Sequence, residues 1–416
     1  MSDLQAVRGT RDLMGEDLAK HRRITDRFRN LAERYGFDAI DTPIFEFTEV
    51  FKRTLGETTD VVTKEMYTFE DKGGDSITLR PEPTAGIARA FISGGWQQHL
   101  PMKLYTYGPM FRYERPQKGR LRQFHQLDAE ILGVPEPQAD IELISMGQQL
   151  LNELDIAQHV TLELNTLGDT ESRARYRDVL VDYLSAFKAE MSPESLDRLE
   201  RNPMRILDSK DPRDRALVEK APMLGEYLNA ESEDFFHAVR EGLDALGIAY
   251  ELNPALVRGF DYYSHTAFEF TTTALGAQGT VIGGGRYDRL IEFMGGPPTA
   301  GVGWGAGIER LSMLLADAPE PARPIVVIPV GEAVQAHCLA LAAELRAAGF
   351  VVDMGYRGNV GKRMKQANRK NAAAALLVGE DEMARGAVTL KRFDDGSQAE
   401  VSRDRLQAAL TELVAE

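Results

Sequence analysis

Cysteine occurs once, at Cys338. That excludes an intramolecular disulfide and any cysteine-rich zinc site, and the sequence assigns no set of protein side chains to a metal. No run of about 18 apolar residues appears, so there is no candidate membrane-spanning helix. The opening MSDLQAVRGTRD lacks the apolar centre of a secretory signal. A cytoplasmic protein with no membrane partner is expected. Neither G-x-G-x-x-G nor G-x-x-x-x-G-K-[ST] is present, which removes the nicotinamide fingerprint and the phosphate-cradling loop. A nucleotide bound by this chain must have its phosphates held by arginine side chains. Positive charge is scarce overall. The net charge of −15 argues against generic nucleic-acid binding, but the deficit is uneven. From Arg323 onward 13 Lys+Arg face 12 Asp+Glu, whereas the remainder carries 36 against 52. Between Arg357 and Lys370 six basic residues occur with no acidic one. A phosphate backbone can dock on such a patch, and a solvated basic helix gives the same pattern.

What is present suffices for a sizeable core: 416 residues, 43% hydrophobic and 27% charged, a length that suggests two or three domains. Glu16 to Tyr35 reads as a helix with Ile24, Phe28, Leu31 and Tyr35 on one stripe, ended by Gly36. FDAIDTPIFE follows as a strand interrupted at Pro43, which places it at an edge or interface. The pair fits a dimer element or a helix packed on its own sheet. SITLRPEPTAGIARAF is a strand running into a helix. Glu82 and Thr84 sit at that junction, either facing a ligand or serving the helix N-terminus. From about 170 to 247 the texture is helical, charged and broken by prolines, a helical insertion with no assigned chemistry. PALVRGFDYYSHTAFEFTT returns to strand. GTVIGGGRYDRL reads as a strand, a triple-glycine turn and a helix start. ADAPEPARP is a linker, taken as 319–324, between a unit of residues 1–318 and an alternating strand-and-helix α/β domain of residues 325–416.

Two stretches carry the sharpest signals. In LYTYGPMFRYERPQKGRLRQFHQLDAEIL, Phe124, Gln126, Asp128 and Glu130 fall on one strand face and His125, Leu127, Ala129 and Ile131 on the other. An acidic, amide-bearing face beside an arginine-rich loop suits a ligand with cationic and phosphate parts. Alone, it is equally a solvated hairpin face. In GVGWGAGIERLSMLL, Gly301, Gly303, Gly305 and Gly307 recur every second residue, stripping one strand face of side chains. Such a face admits another backbone or a flat ligand.

RGTRD, LRPEPTAGIAR, GPMFRYERPQKGRLRQFHQLDAE, LVRGFDYY, GGGRYDRL and GVGWGAGIERL, in this order, are similar to the blocks of the histidyl-tRNA synthetase family, a class II aminoacyl-tRNA synthetase family. Pro83, Tyr113, Asp128-Ala129 and the Trp304-to-Ala306 stretch depart from its pattern, and none removes a charged group the chemistry needs. The resemblance implies an α+β catalytic domain with an antiparallel sheet of six or seven strands flanked by helices, the helical insertion, and a C-terminal α/β anticodon-binding domain. It implies a homodimer formed through the first helix and the Pro43 strand. It implies ATP, with Mg2+, L-histidine and tRNA(His) as partners. Arg112 and Arg258 would be catalytic, at the α-phosphate. Glu114, Phe124 and Arg310 would complete the ATP site. Glu82, Thr84, Gln126, Glu130, Arg258, Tyr262, Tyr263 and Tyr287 would hold histidine. Arg115, Gln117 and Arg122 would meet the acceptor end of tRNA, and Lys362, Arg363 and Lys365 its anticodon stem-loop. Two other classes remain open on the sequence alone: a histidine-binding regulatory paralogue without catalysis, and an amino-acid ligase of the same fold that acts without tRNA.

Overall fold

The first helix spans Gly15–Arg34 and buries His21, Ile24, Phe28, Leu31 and Ala32. Its apolar positions three and four apart form one face, and that face packs on the chain's own sheet. The Phe28 ring lies 5.6 Å from Tyr105 and 5.5 Å from Trp304. In this computed structural model the described residues are 4–55, 61–207, 209, 211–257, 262–276, 279–318 and 320–415. After Gly36 the chain forms Asp38–Ala39, breaks across Pro43, and resumes as Phe45–Phe47. Each piece lies at the edge of a different sheet.

The large sheet has the order Asp38–Ala39, Met102–Phe111, Gln123–Leu132, Gly301–Gly307, Thr280–Arg286, Ser264–Thr271, Thr161–Thr166, Glu251–Leu252. The six central strands are antiparallel, and the two dipeptide edge strands run parallel to their neighbours. These edge pieces bring the count to eight. One face of the sheet is hydrocarbon: Leu127, Ala129, Trp304, Phe268, Phe270 and Ile282 are all at most 2% exposed. The alternation read at Phe124–Ile131 therefore gives the correct inner side.

The triple glycine is not a turn. Gly283 to Gly285 lie inside the strand Thr280–Arg286, paired on both sides. A Cβ at Gly284 would lie 2.3 Å from the Gly303 carbonyl, and one at Gly285 2.6 Å from that of Thr266. Close interstrand packing, not a reversal, requires glycine there.

The insertion is helical: Thr170–Ser185, Pro193–Arg201, Pro212–Val218 and Ala230–Ala245. Its last helix buries Val239 and Leu243 in the large sheet's core. A small sheet pairs Phe45–Phe47, Ser76–Leu79 and Tyr67–Glu70. The chain divides into two compact units, Met1–Pro319 and Glu320–Glu416. The second has the strand order Val352–Met354, Ile325–Pro329, Ala374–Val378, Ala387–Arg392, Gln398–Ser402. Between its third and fourth strands in chain order lies a short helix, Glu380–Arg385, which Gly386 ends at φ 62°. No described helix is long and apolar enough to cross a membrane.

Candidate active site

Strand register builds the site. Gln126, Asp128 and Glu130 stand opposite Gly307, Gly305 and Gly303, and Gly305 stands opposite Gly283. The expectation that the bare glycine face admits another backbone or a flat ligand is corrected at its inner end, where side chains from neighbouring strands fill the space. A Cβ at Gly303 would sit 1.5 Å from Glu130 Oε2, one at Gly301 2.2 Å from the Tyr287 ring, and one at Gly305 2.7 Å from Asp128 Oδ1. Further out, Gly283, Gly305 and Gly307 line a cavity of ≈ 680 Å³.

At the inner end Glu130 is 1% exposed. One of its oxygens accepts the Thr84 hydroxyl at 2.6 Å, the other the Tyr287 hydroxyl. Burial pushes its pKa up to about 8, so the carboxyl holds its proton at neutral pH. Tyr262 and Tyr263 are buried, with ring centroids 4.6 Å apart, and Tyr287 presents its edge to both. Glu82 accepts the backbone N–H groups of Thr84 at 3.0 Å and Ala85 at 2.9 Å. Glu82, rather than Thr84, thus caps the helix Thr84–Gly94, and both residues line the cavity. Burial also raises Glu82 and, well above its usual range, Asp128. Three carboxyl groups crowded in low dielectric favour a cationic ligand, which restores their charged forms.

At the outer end Arg112, Glu114, Phe124 and Arg310 share the cavity wall. The Nε of Arg112 donates to the Pro81 carbonyl at 2.9 Å, fixing the stem, and its guanidinium lies 5.3 Å from the centre of the Phe124 ring. Glu114 is paired with Arg120 at 2.5 Å. Arg310 donates to the carbonyls of Gly119 at 3.2 Å and Thr280 at 2.7 Å, which bridges the hairpin loop and the glycine-bearing strand. Burial lowers its pKa, and Arg120 and Arg112 add to the effect. Concentrated positive charge of this kind is what a polyphosphate neutralises.

In the hairpin loop Gln117 and Arg120 exchange backbone hydrogen bonds of 3.0 and 2.9 Å. The turn exposes Arg115 and Gln117, while Arg122 packs 3.9 Å over the Tyr113 ring. In the second unit Lys362 and Lys365 are exposed on the helix Val360–Arg369, whereas Arg363 donates to the Pro329 carbonyl at 2.5 Å. Arg258 lies outside the described residues.

Several cavity residues escaped the sequence reading. Glu65 and Glu269 line the wall, and the insertion brings Arg198, Arg201 and Arg205 to it. Arg201 and Arg205 flank the proline break at Pro203 in the charged helical stretch, and Arg198 lies three residues before Arg201. Arg286 of GGGRYDRL is structural. It is wholly buried, paired with Asp140, and donates to the carbonyls of Val134 and Glu136 at 3.0 and 3.1 Å.

Residues 9–311 match the family model described as histidyl-tRNA synthetase, and residues 324–413 match an anticodon binding domain. The histidine–tRNA ligase of Rhodospirillum rubrum is 58% identical over 399 residues, covering 96% of each chain. That of Gluconacetobacter diazotrophicus is 54% identical over 99% of this chain and 100% of its own. The crystal structure of apo histidyl-tRNA synthetase from S. aureus superposes with a TM-score of 0.82 at 33% identity, covering 98% of this chain and 99% of that one. With the family model spanning most of the sheet-bearing unit and relatives this similar along the whole chain, the protein belongs to the histidyl-tRNA synthetase family.

Proposed function

We propose that the chain ligates L-histidine to tRNA(His) through a histidyl-adenylate. A histidine carboxylate oxygen attacks the α-phosphorus of ATP, the bond to the β-phosphate oxygen breaks, and pyrophosphate leaves. The 3′-hydroxyl of the terminal adenosine then attacks the activated carbonyl and releases AMP. The observation that carries this reading is Glu130, buried between Tyr287 and Thr84, where Thr84 in turn lines an arginine-bearing cavity. An imidazole has a nitrogen at each end of its polar edge, and a buried carboxyl with tyrosines beside it can pair with both. Apolar isosteres would leave those groups unpaired. Because relatives along the whole chain are named as ligases, the regulatory alternative has no support.

In this proposal Glu82, Thr84 and Gln126 take the α-ammonium and carboxylate of histidine. Phe124 and Arg310 sandwich adenine, and Glu114 shares its carboxylate between Arg120 and the adenine amino group. Arg112 neutralises the α-phosphate, and positioning plus charge stabilisation drives the displacement. Mg2+ enters with ATP. Glu65 and Glu269, which line the cavity, would supply the hard oxygen donors it prefers. Exposed Arg115 and Gln117 meet the acceptor end, with Arg122 bracing the loop, and Lys362 and Lys365 meet the anticodon stem-loop, beside Arg363. A homodimer is supported by the apolar row of the small sheet, where Phe45, Phe47 and Phe69 are 57%, 58% and 49% exposed.

The test is histidine-dependent pyrophosphate exchange followed by charging of tRNA(His). Exchange absent from the folded protein would overturn the proposal. Arg258, from LVRGFDYY, is assigned to bridge the histidine carboxylate and the α-phosphate, where a guanidinium fork differs from an ammonium point charge. Arg258→Lys is expected to slow single-turnover adenylation by about 10²–10³. A near-normal rate would remove the bridge.

A further inference from the structure

Behind the strand that carries Phe124 and Gln126, His125 points to the opposite side of the sheet. There it meets His21 of the first helix and Glu309 of the helix Ile308–Leu314. Among the described residues these three offer one ligand atom each, all within 4.8 Å of one another. His125 Nδ1 lies 2.9 Å from Glu309 Oε1, and His21 Nε2 lies 3.9 Å from the same oxygen. The two imidazoles meet edge to face at 5.2 Å.

A hydrogen-bonded cluster accounts for His125 but not for His21. The backbone N–H of His125 donates to both Glu309 oxygens, at 3.1 and 2.9 Å, and its ring shares a third contact. His21 is 6% exposed, and its Nε2 is buried with no hydrogen-bond partner. Burial lowers the His21 pKa. The Glu309 carboxyl is pushed up by burial, but the ring and backbone of His125 outweigh this and hold it below its usual range. The side chains of Arg11 and Asp17 near His21 pair with each other at 3.2 Å, so they leave no net charge against a cation.

We propose that His21, His125 and Glu309, the last of which also lines the cavity, bind a zinc-class divalent cation that ties the first helix to the two active-site elements. Two imidazoles and a carboxylate form a common zinc ligand set. With metal–ligand bonds of about 2.0–2.2 Å, tetrahedral ligands stand about 3.3 Å apart. The 2.9 and 3.9 Å separations from Glu309 Oε1 bracket that value, and with all three ligand atoms within 4.8 Å of one another the two rings have to draw together to close the site. The backbone N–H of His125 then orients the Glu309 carboxylate, as outer partners do around bound metals.

The experiment uses full-length, tag-free protein stripped with EDTA and titrated with Zn2+. Calorimetry and elemental mass spectrometry give affinity and stoichiometry, and Co2+ substitution gives a coordination spectrum. No substrate or tRNA is involved, so the outcome is separate from that of the ligase test. One ion per chain, surviving gel filtration and giving a tetrahedral Co2+ spectrum, is expected. His21→Phe and His125→Gln should each lose the stoichiometric ion, while His237→Ala, at an exposed histidine, should keep it. No retained ion in the parent protein overturns the site without recourse to any variant. Undiminished stoichiometry in a folded His21→Phe or His125→Gln protein overturns it equally.

Discussion

Gly303 and Trp304 are consecutive residues of one strand that face opposite environments. Trp304 is 2% exposed, packs on Phe28, and donates its indole N–H to the Leu143 carbonyl at 3.0 Å. On the other side Gly303 presents nothing, and the carboxyl of Glu130 occupies its space. One face of the sheet contributes stability through packed hydrocarbon. The other gives some up, because it holds carboxyl groups and tyrosines out of water with their charge suppressed. Consistent local choices build the first face, and a ligand is needed to relieve the second. Substitutions on the two faces should therefore fail differently.

The largest effect is expected on the packed face. Trp304→Ala removes a buried ring and its indole hydrogen bond to the Leu143 carbonyl. It should lower unfolding free energy by about 3–5 kcal/mol, measured by denaturant titration. Histidine-dependent exchange per folded molecule should change far less. A loss no greater than the ~0.5 kcal/mol of a surface substitution would mean the face is not a core.

On the polar face Glu130→Gln should act with two opposite signs. The folded pKa of Glu130, about 8, lies above its ordinary 4.5. Its stabilising contribution is full below pH 4.5 and is lost as pH rises through about 8. Glutamine has no such proton to lose. The free variant should show a flatter stability profile and exceed the parent above about pH 8. Histidine binding, in contrast, should weaken by about 1.5–3 kcal/mol, with ATP binding little changed. Unaltered histidine affinity by calorimetry would make Glu130 structural, and an unaltered pH profile would mean that its proton is not held by burial.

Much of this contrast was legible in the sequence. Period-two alternation separates Leu127, Ala129 and Ile131 from Gln126, Asp128 and Glu130 without knowledge of any neighbour. The glycine repeat at 301–307 announces a bare face for the same reason. What fills that face is a matter of interstrand register, set by residues far apart in sequence, so Glu130 over Gly303 and Tyr287 over Gly301 were not visible. Register also decides that Gly283 to Gly285 belong inside a strand, although three glycines read locally as a turn. The cavity-facing arginines of the insertion were hidden because helix orientation is a tertiary property. Arg286 stands within a family block, and its two acceptor carbonyls and Asp140 identify it as an internal anchor.

The smallest and sharpest test exchanges one hydrogen for a methyl group at Gly303. The added carbon would fall 1.5 Å from Glu130 Oε2, 2.3 Å from its Cδ and 2.9 Å from the Ala129 carbonyl oxygen. The carboxyl can move aside, because it is a side-chain end, but it then loses the Thr84 or Tyr287 hydroxyl. The carbonyl oxygen can yield only through a shift of the paired strand. Overpacking of this kind costs about 1–3 kcal/mol, less than the loss expected at Trp304. Its functional consequence should be the more selective of the two: histidine-dependent exchange is expected to fall while ATP binding, proposed to rest on Phe124, Arg112 and Arg310, persists. Glu130→Ala in the same background removes the clashing carboxyl, so it should restore part of the lost stability and none of the exchange. If Gly303→Ala bound histidine normally, the site would have room that the fold denies it, and the proposed role of this glycine in seating Glu130 would be wrong.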